Sequence, residues 1–205
     1  MLPNALVKYS EIVRSGKVAV CKFQTLLIDY IENCFNEETL NLDEEQFEKY
    51  MSYQQYFPFK LFEWEKFVFA LHNCVYRTDG FLRWPTLFLY LGRGSGKNGY
   101  LSFEDFCLLT PTNGIKNYHI DIYAVAEANA KTSFEEIYNV LENNEQKMKR
   151  FFKWNLEEIE NLFKALDILD EDEIKALEFQ RAKVKNPENL YVNKLIHQVK
   201  KKGFI

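Results

Sequence analysis

The residues whose types and spacing suit chemistry cluster in one short stretch, Gly92-Arg93-Gly94-Ser95-Gly96-Lys97. Glycines at alternate positions let a backbone turn tightly and aim several N–H groups into one concavity. With the N-terminus of a following helix behind it, such a concavity attracts phosphate. Lys97 adds a point charge suited to β- and γ-phosphate oxygens. The general phosphate-loop (Walker A) spacing, Gly-x-x-x-x-Gly-Lys-Ser/Thr, is met at Gly96 and Lys97. It is missed at both ends, where Leu91 and Asn98 stand. A plain glycine turn between a strand and a helix, with an incidental lysine, accounts for the same residues.

Positioning such a loop takes a strand before it and a helix after it. Thr86-Leu-Phe-Leu-Tyr-Leu91 is a continuous apolar run, the pattern of a strand buried on both faces of a parallel sheet. A helix is expected from Lys97 to about Leu109, stopped by Thr110-Pro-Thr-Asn-Gly114. Ile120–Ala126 reads as a second buried strand, and Asn129 as the cap of a helix carrying Ala130, Phe134, Ile137, Tyr138 and Leu141 on its sheet side. Strand, helix, strand and helix in this order make a βαβα unit with a right-handed crossover. Arg150–Trp154 suits a short third strand.

The flanks read as helical. A short turn of helix over 8–17 breaks at Gly16, and Phe23, Leu26, Leu27, Tyr30, Ile31, Cys34 and Phe35 recur at helical spacing. Asn41–Gln46 supplies a cap and an acidic first turn for a helix to about Tyr56, ended by Pro58. Residues 61–76 carry the strongest stripe before the loop, Trp64, Phe67, Val68, Leu71, Cys74 and Val75, with His72 beside it as a packing residue. Arg77–Gly80 is a turn. Beyond 154, Asn155 with Glu158 and Asp170 with Glu173 look like capping boxes opening two helices, and Asn186-Pro187-Glu188 opens a third that ends at Lys200–Lys202. The expected class is therefore α/β: a partial P-loop NTPase-like parallel sheet, with a helical N-terminal lead-in and a helical C-terminal tail. Residues 1–80 form the lead-in, 81–160 the βαβα core and 161–205 the tail.

Composition narrows the function classes. At 205 residues and 47% hydrophobic, the chain can bury a full core and is not of the disordered type. A net charge of −4 is no global signature of a nucleic-acid binder. Cys21, Cys34, Cys74 and Cys107 are far apart and none sits at zinc-ligand spacing, so buried free thiols are expected and no metal site is assigned. No apolar run reaches the roughly 18–20 residues that span a bilayer, and Met1-Leu-Pro-Asn4 is not followed by the apolar core of a signal peptide. A soluble protein of a reducing compartment is expected.

Several stretches resemble one family, the large subunit of the terminases that package DNA into tailed-bacteriophage procapsids. Tyr9-x-x-x-Val13-x-x-Gly16-Lys17-x-x-x-Cys21-Lys22 is similar to the family's helical lead-in. Phe59-Lys-Leu61-Phe-Glu-Trp64-Glu65-Lys-Phe67 resembles its Leu-x-x-Trp-Gln element, which helps hold adenine. Arg93-Gly-Ser-Gly96-Lys97-Asn98 resembles its variant phosphate loop, Arg-x-x-Gly-Lys-Ser/Thr, which accounts for Leu91. The stretches 110–123 and 129–134 resemble the loop, strand and helix that follow. The likeness covers about residues 5–160.

The resemblance implies ATP and Mg²⁺ as cofactors, with Trp64 and Glu65 at the base and Gly94, Ser95, Gly96, Lys97 and Asn98 at the phosphates. It implies catalytic roles for Arg93, on the charge of the transferring phosphoryl, and for Lys97. It also implies the small terminase subunit, the portal and double-stranded DNA as partners, no membrane, homo-oligomers as a possibility, and the cytoplasm of a bacterial host. Three departures stand against full activity. Glu65 replaces the family's Gln, Asn98 replaces the Mg²⁺-bound hydroxyl, and the likeness fades after about Asn161, ahead of the Walker B pair and the nuclease domain. Leu166–Glu173 is the nearest Walker B candidate and reads better as a helix end followed by a cap. The expected function is the ATP-binding portion of a packaging motor with weak or no hydrolysis of its own. The alternative is a non-catalytic, terminase-derived interaction module or prophage remnant, whose tail covers the open sheet edge.

Overall fold

The computed structural model describes residues 2–92, 94–115, 118–124, 127–155 and 158–161. The chain forms two compact units that divide between Glu104 and Asp105.

The first unit is built around a helix none of whose residues is exposed. α1 spans Asn4–Arg14, α2 Lys22–Glu37, α3 Glu44–Ser52, α4 Glu63–Cys74 and α5 Lys97–Leu109, the last running across the unit boundary. α4 buries Phe67, Phe69, Ala70, Leu71 and Cys74. Tyr9 of α1 tilts against Phe67 with ring centroids 5.1 Å apart, and Tyr50 of α3 meets Phe69 edge-on at 5.3 Å. Offset and edge-on geometries of this kind add to the area they bury. Asp43 caps α3 by accepting the Gln46 N–H, as the acidic start at 41–46 foretells. α3 continues as a single 3-10 turn over Tyr53–Tyr56.

β1 (Leu40–Leu42) pairs antiparallel with β2 (Val75–Arg77), Leu40 opposite Arg77 and Leu42 opposite Val75. α4 therefore stops at Cys74, where the β-branched Val75 turns the chain into a strand. The expected turn follows, Gly80 N–H donating to the Arg77 carbonyl with Gly80 at a positive φ of 83°. Arg83 then grips Glu38 through two bonds of 2.6 and 2.8 Å, tying the chain beyond the turn to the end of α2. His72 is half-buried with Nδ1 2.7 Å from the Trp84 carbonyl, a packing position.

The second unit holds the end of α5, a 3-10 turn at Pro111–Asn113, α6 (Glu127–Asn143), α7 (Glu145–Met148) and a small hairpin. α6 buries Ser133, Ile137, Val140 and Leu141, and Phe106 of α5 packs on Phe152. β3 (Phe152–Trp154) pairs antiparallel with β4 (Ile159–Asn161). The Glu158 N–H bonds to Asn155 Oδ1 at 2.9 Å, and the Asn155 N–H to the Glu158 carbonyl. The Asn155…Glu158 pair thus closes a hairpin where a helix cap was expected. A short Asn side chain reaching an N–H three residues on is the same local geometry in both settings.

The fold is thus a mix of helices and short strands, and both strand pairings among the described residues are antiparallel. Several expectations are corrected. Thr86–Leu91 forms no strand, and the described part of the expected strand Ile120–Ala126, residues 120–124, forms none either; Tyr123 faces solvent. Apolar runs record a tendency to be buried on both faces, and a strand also needs ladder partners. α6 begins at Glu127, so Asn129 lies inside the helix and not at its cap. Of the cysteines, Cys34, Cys74 and Cys107 are buried free thiols as expected, whereas Cys21 is exposed. The tail expected beyond 161, with the Leu166–Glu173 segment and Lys200–Lys202, lies outside the described residues.

Candidate functional site

Every expected nucleotide-side residue except Arg93, which lies outside the described residues, falls at one corner of the first unit. Gly94 and Gly96 both take positive φ, 79° and 87°, where a side chain would strain the backbone. Ser95 Oγ donates to the Gly92 carbonyl at 2.8 Å, closing the loop on itself. The chain passes directly into α5, whose first residue is Lys97 and whose first turn closes as the Tyr100 N–H bonds to the Gly96 carbonyl at 3.0 Å. The N–H groups of that first turn and the positive end of the helix dipole therefore lie at the loop. Lys97 is half-buried and Asn98 exposed.

α4 brings the other half of the site. Glu65 is the third residue of α4, and its Oε2 accepts the Phe62 N–H at 2.7 Å, so it caps its own helix from within. Its other oxygen points at the loop: a Cβ at Gly96 would lie 2.8 Å from Glu65 Oε1 and 3.5 Å from the Phe62 ring. Glycine at 96 is thus required twice, by φ and by this close approach. Glu65 is only 3% exposed. Burial raises its carboxyl above the usual range, and the Phe62 N–H opposes part of that rise. Trp64 stacks on Tyr100 of α5 at 6.4 Å, and the Phe59 ring would press a Cβ on Gly99 at 3.2 Å. Trp64, expected on the base side, is here a packing contact that seats α5 on α4.

Beneath these contacts lies a buried polar network that the sequence reading missed. Glu104 Oε1 accepts from Asn73 Nδ2 at 2.6 Å and from the Tyr100 hydroxyl at 3.0 Å. Tyr100 and Glu104 sit four residues apart on one helix face, a spacing visible in the sequence. Nothing in the sequence links them to Asn73, 31 residues earlier.

The entry to the loop is different in kind. Phe88 is 85% and Tyr90 91% exposed, and 86–91 has no strand partner among the described residues. The corner gathers first-turn backbone N–H groups and one lysine, with the Glu65 carboxyl aimed at the same loop. Among the described residues there is no group of three or more His, Cys, Asp or Glu side chains placed to hold a metal ion, and none of their helices is long and apolar enough to cross a membrane. Comparison with protein-family models, with curated proteins and with solved structures returns no match.

Proposed function

We propose that the chain is the ATP-binding portion of a bacteriophage DNA-packaging motor of the terminase large-subunit type, with weak or no hydrolysis of its own. One observation carries the reading. Gly94 and Gly96 at positive φ lead straight into a helix that begins with Lys97, and α4 sets Glu65 against Gly96 and Trp64 against Tyr100 of that helix. The donor set fits phosphate. α5's first-turn N–H groups and the Lys97 ammonium would take the β- and γ-oxygens, and the two glycines keep side chains out of their way. Bound ATP supplies the phosphoanhydride. Mg²⁺ would meet the phosphate oxygens and the exposed Asn98 amide oxygen, a weaker ligand set than a hydroxyl with a carboxylate pair. In the same reading 86–91, which forms no strand here, would bear the loop as a sheet strand only on joining further strands, and its alternating exposed Phe88 and Tyr90 are the surface such neighbours would cover. Small subunit, portal, double-stranded DNA and the bacterial cytoplasm belong to this proposal as its partners and place.

Calorimetry of ATP binding with and without Mg²⁺ tests it. Binding that Lys97→Ala weakens at least about tenfold is the expected result; no binding at millimolar ATP overturns it. A second reading, the non-catalytic interaction module or prophage remnant, draws on Glu65. An acceptor-only carboxylate held against Gly96 opposes an anion where the family's amide would accommodate one. That reading predicts no binding by the wild type and recovery in Glu65→Gln.

A further inference from the structure

The N-terminal part of the apolar stripe of α2 that suggests a core helix faces outward, whereas Ile31 and Cys34 of the same set are buried. Phe23 is 77% exposed, and Leu26, Leu27 and Tyr30 are also exposed, at the i, i+3, i+4, i+7 spacing of one helix face. The back and flanks of α2 do the packing. Ile28 and Ile31 are buried, Gln24 donates to the Tyr9 hydroxyl, and Asp29 and Glu32 both accept from Arg14 of α1. The four exposed side chains present roughly 400 Å² of mostly apolar surface, within the range of the largest patch on a typical monomer, which is often a functional one.

The charges around the stripe run against α2's own dipole. Lys22 stands at its N-terminal end and Glu37 at its C-terminal end, with no acidic residue in the first turn and no basic residue in the last. A second α2 laid antiparallel across the stripe eases this, because the two helix dipoles then run in opposite directions. Phe23 opposite Tyr30 and Leu26 opposite Leu27 is one register for both pairs, since each sums to the same position number. That register sets Lys22 beside Asp29 of the second copy, on the same flank of the stripe and twice by symmetry. Asp29 is part-exposed and its partner Arg14 keeps a second bond to Glu32, so Asp29 is available to another cation.

We propose that α2 is the contact of a two-fold homodimer, formed by antiparallel packing of Phe23, Leu26, Leu27 and Tyr30 from two copies of this chain. A patch of this size supports a reversible pair and not an obligate one. The inference is independent of the nucleotide reading.

Analytical ultracentrifugation over a concentration series is the test, with circular dichroism to verify folding. The wild type should show reversible monomer–dimer exchange, and Leu26→Lys should weaken it at least about tenfold while keeping the monomer folded, because Leu26 is exposed. Lys22→Glu should weaken the dimer through repulsion from Asp29 yet raise the monomer's melting temperature by relieving the α2 dipole. Adding Asp29→Lys to Lys22→Glu should restore association. A wild type that stays monomeric throughout, or an association that Leu26→Lys leaves unchanged, overturns the proposal; so does a double variant no tighter than Lys22→Glu alone.

Discussion

The two flanks of the Gly92–Gly96 loop are built in opposite ways. After the loop, α5 is locked: Trp64 stacks on Tyr100, Tyr100 and Asn73 bond to a buried Glu104, and Phe103 packs against Phe57 and Phe69. Before the loop, 86–91 carries a continuous apolar run and leaves Phe88 and Tyr90 in solvent. Helices satisfy their backbone within themselves and need only a face to pack on. An extended segment needs neighbours for both its ladder and its side chains. The unit therefore fixes the helix end of the loop by itself, whereas 86–91 has no strand partner among the described residues.

Removing Tyr100 would break the locked flank most severely. Tyr100→Ala deletes a fully buried ring and leaves Glu104 short of a donor, so a loss of about 3–5 kcal/mol is expected in urea unfolding. A loss under about 1 kcal/mol would mean that α5 is not held through this network.

Gly96→Ala tests the seam between the flanks. The positive φ and the 2.8 Å approach to Glu65 Oε1 should together cost about 2 kcal/mol of stability. Phosphate or ATP binding should fall with it, whereas Gly80→Ala, which has a positive φ and open space, should cost only the backbone part.

Glu65→Gln sharpens the electrostatics of the locked side. Exchanging the buried carboxylate for an amide should tighten ATP binding by roughly tenfold at neutral pH. The folded-state carboxyl titrates higher than in the unfolded chain. The native state therefore holds the proton more tightly, and stability falls as pH rises from the ordinary glutamate range through the raised value. Wild-type ATP affinity should rise as pH is lowered through the same window, and both slopes should flatten in Glu65→Gln. Identical pH profiles for the two proteins would remove Glu65 from the site's electrostatics.

The smallest effect belongs to the open flank. Phe88→Ser and Tyr90→Ser should each change stability by less than about 0.5 kcal/mol, because neither ring is buried. A large loss from either would show that the run is already covered in solution, and the contrast between the flanks would collapse.

Much of this was legible along the chain because its causes are local. The acidic cap at Asp43, the break at Gly16, the Arg77–Gly80 turn and the extent of α5 from Lys97 to Leu109 each follow from residues within a turn of one another. Glycine positions 94 and 96 announced a tight loop for the same reason. The Asn155…Glu158 pair shows the limit of local reading, since one side-chain geometry serves helix caps and hairpin turns alike.

Periodicity alone specified which side chains share a helix face. It did not specify what covers that face. α2 and α4 both carry apolar stripes, and only the packing of α1, α3 and α5 around α4 decided that α4 is enclosed while Phe23, Leu26, Leu27 and Tyr30 of α2 stay in water. Likewise, the run 86–91 recorded a preference for burial, and no residue within it could supply a ladder partner. The placing of Glu65 against Gly96, and of Asn73 against Glu104, also belonged to the tertiary structure. Those pairs lie 31 residues apart in sequence, and only the docking of α5 on α4 brings them within reach.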